Sequence, residues 1–264
     1  RTLFNDKTKA EIHRKIPLIV EQIESQHSVN FLFELLDSED FIIRNKALSS
    51  LNLLKNKYGF LHFDKKLVIR KILDESRILQ DTLSILYLQN KLENLSDDNE
   101  TSLSAARKSL IDLLERRLDG GLARIFRLLG LKFPNDEIDS AYKSFHSNKP
   151  DIRISSIEFL DNLLDTKLKR ILIPLLETTI LDSLSEEALK NMNVDIPDEK
   201  ECYTMLLEGN DIKVKLAVLY LILHLKQAEY LPLIKRFRNN HNPKVRDFAE
   251  KAFVVLQENY NHDK

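Results

Sequence analysis

The chain has 264 residues, 43% of them apolar and 31% charged, enough to bury a core and keep a hydrated surface. Forty basic and 41 acidic residues leave a net charge of −1, which argues against nucleic acid as the main partner, because neutralising phosphates needs a concentrated positive surface. The single cysteine, Cys202, excludes an intrachain disulfide and a cysteine-cluster zinc site, and five glycines with seven prolines are too few to favour an all-β chain.

Lys7–Ser25 predicts a helix with Ile12, Ile16, Ile19 and Ile23 repeating every three or four residues, kinked or divided at Pro17. Val29–Leu36 reads as a short apolar helix. In Asp37–Lys55 the residues Ile43, Ala47, Leu51 and Leu54 share one face. Phe63–Leu95 is mostly helical, with two helices expected to meet near Asp74–Ser76. Ser96–Ser102 is a polar loop and the one internal break the pattern offers. Thr101–Leu118 is helical, and Asp119-Gly120-Gly121 is expected to interrupt or bend it before Leu122–Leu129. Asn135–His146 and Asp151–Leu164 form a pair, and Lys167–Leu181 follows with Pro174 inside it. Ser183–Lys200 looks acidic and irregular. Glu201–Glu208, Asp211–Leu225, Glu229–Phe237 and Lys244–Gln257 make two more pairs.

The longest uncharged run, Leu216–Leu225, has ten residues. A membrane span needs about twenty, so that run reads as a buried helix and direct membrane insertion of this segment is not expected. The chain opens on Arg1, without methionine or a signal-like stretch, and is expected to be a piece of a longer protein.

A frame recurs along these pairs. Asp40, Ile43, Arg44, Ala47 and Leu51 match the second helix of a HEAT repeat, which resembles Asp-x-x-Val-Arg-x-x-Ala-x-x-x-Leu. Ile152, Arg153, Ser156 and Leu160 fit it with Lys149 at the acidic position. Asp211, Val214, Lys215, Val218 and Ile222 fit with lysine for arginine, and Asn242, Val245, Arg246, Ala249 and Phe253 fit with asparagine for aspartate. The basic positions are separated by 109, 62 and 31 residues; the last two are whole multiples of 31 and the first is not, so the central repeats are irregular. The acidic or amide residue caps its helix, the small residue admits a neighbour, and the basic residue is expected to reach the adjacent repeat as one rung of a ladder. The resemblance implies an all-α, right-handed helical-repeat solenoid of HEAT type, one domain over residues 1–264, whose second helices line an inner binding surface.

A narrower resemblance covers residues 105–258. It rests on RRLDGGLARIFRLLGL (Arg116–Leu131), IEFLDNLLDTKLKRILIPLLE (Ile157–Glu177) and KVKLAVLYLI (Lys213–Ile222). These look like a soluble helical segment of bacterial membrane proteins that follows a nucleotide-transporter-like or major-facilitator-like region, sometimes ahead of a cyclic-nucleotide-binding domain. That implies a cytoplasmic module, tethered to the inner membrane through its parent chain, which binds its own membrane region or a membrane-linked protein. It brings no catalytic residues and no cofactor.

Little in the sequence points to chemistry. Arg116, Arg117, Arg124 and Arg127 flank Gly120-Gly121, and a glycine break before a helix presents N–H groups to an anion; this is the candidate contact for a phosphate or a partner. The plain alternative is a bent helix whose arginines meet Asp112, Glu115 and Asp119. Glu158, Asp161, Asn162 and Asp165 lie at helical spacing, opposite an apolar stripe of Ile152, Ser156, Phe159, Leu160, Leu163 and Leu164, and read as a solvated face rather than a metal or acid–base pair. His224 reads as a hydrogen-bonded core or boundary residue, and Cys202 as packing. Lys213–Lys251 holds nine basic residues against three acidic, a patch suited to an acidic protein, anionic lipid or nucleic acid, or else ordinary charge variation on a long surface; the rival from another class is a nucleic-acid-binding protein like the HEAT-like DNA glycosylases. Such proteins resemble basic chains with a tryptophan-bearing cleft, and this chain has neither. A nucleotide sensor built on the arginine–glycine segment is a further alternative. The favoured expectation is a non-catalytic interaction or regulatory scaffold.

Overall fold

Cap chemistry sets where the helices begin. Ser25 accepts a hydrogen bond from the Ser28 N–H, Asp40 from Ile42, Asp198 from Glu201, Asp211 from Lys213 and Val214, and Asn242 from Lys244 and Val245. Each satisfies donors that have no partner in the first turn of a helix. The computed structural model describes residues 10–38, 40–95, 101–180 and 184–262, and every regular element among them is helical.

Taken in order, α1 (Ala10–His13) and α2 (Ile16–Val20) are separated just ahead of Pro17, where a division was expected. Next come α3 (Gln26–Leu35), α4 (Phe41–Lys57), the long helices α5 (Lys65–Asn94) and α6 (Thr101–Lys132), α7 (Asn135–Phe145), α8 (Pro150–Leu163) and α9 (Thr166–Ile180). The chain continues through α10 (Glu186–Asn191), α11 (Glu199–Glu208), α12 (Ile212–Leu225), a 3-10 turn at Ala228–Tyr230, α13 (Leu231–Phe237) and α14 (Pro243–His262). None of the helices among the described residues is long and apolar enough to cross a membrane.

Two compact units divide the chain. The first comprises Arg1–Leu79 with Gly120–Ser183, the second Gln80–Asp119 with Leu184–Lys264, so α5 and α6 each contribute to both. In the first unit α3 packs on α4, α7 on α8, and α8 on α9. Asn52 and Lys55 of α4 donate to the carbonyls of Arg127, Gly130 and Phe133; the Gly130 carbonyl is one of those left without an intrahelical donor at the end of α6. In the second unit α12 and α13 pack on α14, and α11 packs on α12. Their core includes Leu110, Leu114, Leu206, Val218, Ile234 and Ala249.

Several local expectations are overturned. Helix α5 is continuous through Asp74–Ser76: Ile72, Ser76 and Leu79 are buried there, and that packing holds the helix, with the Ser76 hydroxyl donating to the Ile72 carbonyl one turn back. Helix α6 runs through Gly120-Gly121; the glycines cost helix propensity, but Leu122, Ile125, Phe126 and Leu129 are buried around them, and that packing prevails. Helix α6 begins at Thr101, where a helix was expected, and residues 96–100 of the polar loop lie outside the described residues. The stretch read as irregular after Ser183 contains α10, capped by Ser185. The isoleucine stripe at the start faces outward: Ile12, Ile19 and Ile23 are exposed, whereas His13 and Pro17 are buried.

Candidate functional site

The repeat frame resolves into a turn with its own hydrogen bonds. Arg44 Nη1 donates to the Ser38 carbonyl at 2.5 Å, and Arg246 Nη1 to the Asn240 carbonyl at 3.0 Å. In both cases the arginine reaches back six residues into the turn that precedes its own helix, so the expected ladder between adjacent repeats is here a clip within one turn. The backbone N–H groups of Asp40, Lys149 and Asn242 donate to the side chains of Ser38, Ser147 and Asn240. The same hydrogen bond, from a backbone N–H to the side chain two residues back, thus precedes α4, α8 and α14. Asp40 also pairs with Arg14 at 2.7 Å. Lys215 lies 5.6 Å above the Phe237 ring. The Nε of Arg153 is buried without a hydrogen-bond partner among the described residues.

The four candidate arginines differ in burial and partners. Arg124 is buried, pairs through Nε and Nη2 with Glu75, and lies 4.9 Å over the Phe41 ring. Arg116 and Arg127 are exposed, and Arg117 is half-buried. Gly120 and Gly121 lie inside α6, so their N–H groups point along the helix and bond to carbonyls one turn back. At Gly121 an added Cβ would sit 2.2 Å from Leu79 Cδ2; this glycine is a notch for a leucine.

Asp161 of α8 and Asp165, in the turn that follows it, are engaged with lysines. Asp161 meets Lys169 at 3.0 Å, and Asp165 meets Lys132 at 3.1 Å while capping α9 through the Leu168 N–H. Burial opposes ionisation of Asp165, but the Leu168 and Lys167 N–H groups and the Lys132 ammonium outweigh it and hold the carboxyl below its ordinary value. No group of three or more His, Cys, Asp or Glu side chains among the described residues is placed to hold a metal ion. His224 packs against Tyr220 at 4.5 Å between ring centroids; its Nε2 is buried and has no hydrogen-bond partner among the described residues.

A buried polar knot in the second unit is absent from the sequence reading. Arg107, only 4% exposed, donates to Gln89 at 2.8 Å and to Glu199 at 3.3 and 3.4 Å. Tyr203 donates to the same Glu199 oxygen at 2.5 Å, and the Gln89 amide donates to Cys202 Sγ at 3.5 Å. Burial pushes the Cys202 thiol up to about 12, with Gln89 pulling weakly the other way. The thiol is therefore protonated at neutral pH and a poor nucleophile. Burial and Glu199 likewise raise the Tyr203 phenol. One signal was available: Arg107 follows Leu103 by four residues and precedes Leu110 by three, which places it on the apolar face of α6.

Two arginines of the basic C-terminal stretch are engaged in local ion pairs. Arg236 pairs with Glu208 at 2.6 Å, and Arg238 pairs with Glu250 at 2.6 Å while lying 4.1 Å over Phe253.

Between α7 and α8 in the first unit lies an open groove of about 550 Å³. Its floor carries Ala141 and Ser156, its wall Ile152 and Phe159, and its rim Asp136, Glu137 and Asp151. Ile152 and Phe159 were expected within the buried stripe of α8, yet they are 39% and 38% exposed. Helix α8 turns Ser156, Ile157 and Leu160 into the core instead. None of the three rim carboxylates is ion-paired among the described residues. No protein-family model matches the chain, and no curated protein or solved structure is detectably similar to it.

Proposed function

We propose that the chain is a non-catalytic interaction module built of HEAT-type helix pairs, and that in each unit the second helices, α4 and α8 in the first and α12 and α14 in the second, carry a binding surface. The observation that carries this reading is an asymmetry of exposure. The second helices leave large apolar side chains in solvent, among them Phe41 and Leu53 on α4, Ile152 and Phe159 on α8, Tyr220 on α12 and Val254 on α14. Among the described residues the first helices α3, α7, α11 and α13 expose none. Isolated exposed apolar residues are ordinary, and α1, α2 and α5 also expose Ile12, Leu18, Ile19 and Ile78, but within these four pairs the segregation to one helix is what a docking face requires. Covering each of these half-exposed side chains would contribute roughly 0.5–1 kcal/mol.

The capped turn with its arginine clip supports the HEAT-type assignment, because it recurs at α4 and α14 with the same spacing. The resemblance of residues 105–258 to the soluble segment of transporter-like membrane proteins supports a cytoplasmic setting, with the partner either the parent's own membrane region or a protein held beside it. A variant combining Phe159→Ser, Tyr220→Ser and Val254→Ser tests the reading. It is expected to keep the melting temperature of the parent and to lose the proteins that co-purify with the parent from its host. Unchanged co-purification would refute the reading.

A further inference from the structure

We propose that the groove between α7 and α8 docks a basic amphipathic helix supplied by another protein. The inference rests on the interaction reading above and names the partner chemistry for one of its faces.

The groove offers two kinds of contact side by side. Ile152 and Phe159 give an apolar wall, and Ala141 and Ser156 give a floor of short side chains that lets a second backbone approach closely. Along the rim stand Asp136 and Glu137, in the first turn of α7, and Asp151, in the first turn of α8. Carboxylates there complement the positive ends of their own helices, which explains their presence. It leaves their outward charge unneutralised, since none is ion-paired among the described residues. No lysine or arginine is among the residues that line the groove.

An apolar wall beside an acidic rim is complementary to a helix with an apolar stripe flanked by lysine or arginine. An acidic segment would meet like charge, and an uncharged one would leave the rim unused. The walls set the length. Helices of 11 and 14 residues run about 16 and 21 Å, room for roughly three to four turns of a docked helix.

The test uses the full chain and a fluorescent peptide of about fourteen residues, with leucine at i, i+3, i+4 and i+7 and lysine on the flanks. Fluorescence anisotropy is expected to give a dissociation constant on the order of 10–100 µM, weakened by salt. The Glu137→Lys/Asp151→Lys variant is expected to bind about tenfold more weakly, and Phe159→Ser about fivefold more weakly. Asp139→Lys, exposed on α7 and not among the groove-lining residues, is expected to bind within about twofold of the parent. A peptide with glutamate for lysine is expected not to bind.

Equal weakening by Asp139→Lys and by the rim variant would show generic adsorption and overturn the proposal. So would a sedimentation result in which the parent dimerises and Phe159→Ser does not, since the occupant would then be a second copy of this chain. Should the peptide fail to bind while Tyr220 and Val254 still contact a partner in cells, the groove assignment falls and the interaction reading stands.

Discussion

Two adjacent glycines in α6 make opposite predictions when replaced by alanine. Inside a helix, alanine is favoured over glycine by about 1 kcal/mol, because glycine has more backbone freedom to lose. At Gly120 an added Cβ would lie 3.5 Å from Arg124 Nη1 and 3.7 Å from Phe41 Cζ, ordinary contact distances. Gly120→Ala should therefore stabilise the first unit by about 0.5–1 kcal/mol. At Gly121 the same atom would lie 2.2 Å from Leu79 Cδ2 and 3.0 Å from Leu79 Cγ. Leu79 is fully buried, so the whole side chain must shift within a packed core. Overpacking of this kind costs about 1–3 kcal/mol, and after the propensity gain a net loss of about 1 kcal/mol is expected for Gly121→Ala. Urea unfolding followed by circular dichroism reads the midpoints, with slopes expected to stay constant. Leu79→Ala makes room for the new methyl, so the double variant should be more stable than the sum of the singles by about 1 kcal/mol. The reasoning fails if both alanines destabilise, as glycines of an anion-binding turn at positive φ would. It fails equally if Gly121→Ala stabilises as much as Gly120→Ala.

Arg124→Ala removes the partner of Glu75, whose side chain is 14% exposed, and should cost about 3–5 kcal/mol. Replacing both, as Arg124→Met/Glu75→Leu, should cost clearly less in the same urea assay. Cys202 is fully buried, with its thiol pushed up to about 12. An aromatic disulfide reagent should modify it at least about a hundredfold more slowly in the native chain than in urea. Asp165 ionises below the ordinary carboxyl value of 3.8 in the folded chain, so its stabilisation is complete above that value and lost as pH falls through the lower, folded one. Asp165→Ala should accordingly cost about 1 kcal/mol at pH 7, and the gap in urea midpoints should narrow in acid.

Some of these features are legible in the sequence because they are local. The caps at Asp40, Asp211 and Asn242 act within three residues, and the apolar spacing of Val245, Ala249, Ala252 and Leu256 matches their burial. Pro17 divides its helix through its own ring and missing N–H. Features that depend on a distant element are not legible. Glu75, which neutralises Arg124, stands 49 residues away, and Leu79, which makes Gly121 a notch, lies on another helix. Periodicity identifies an apolar stripe without saying which of its members meet a neighbour. Hence Ile12, Ile19, Ile152 and Phe159 share stripes with buried or half-buried residues and remain exposed. The groove depends on the lateral spacing of α7 and α8, and Ile152 and Phe159 carry no mark of it in one dimension. Arg107 could have been found, since its helical phase already put a charge on an apolar face.

The most direct measurement is a photo-crosslinking scan in the host organism. A photoreactive phenylalanine analogue replaces Phe159, Tyr220 or Val254 on the second helices, and Lys143, Lys200 or Lys235, exposed on the first helices, in parallel. Discrete protein adducts are expected from the first three positions and none from the other three. Adducts spread evenly over both sets, or confined to Lys143, Lys200 and Lys235, would contradict the assignment of binding to the second helices.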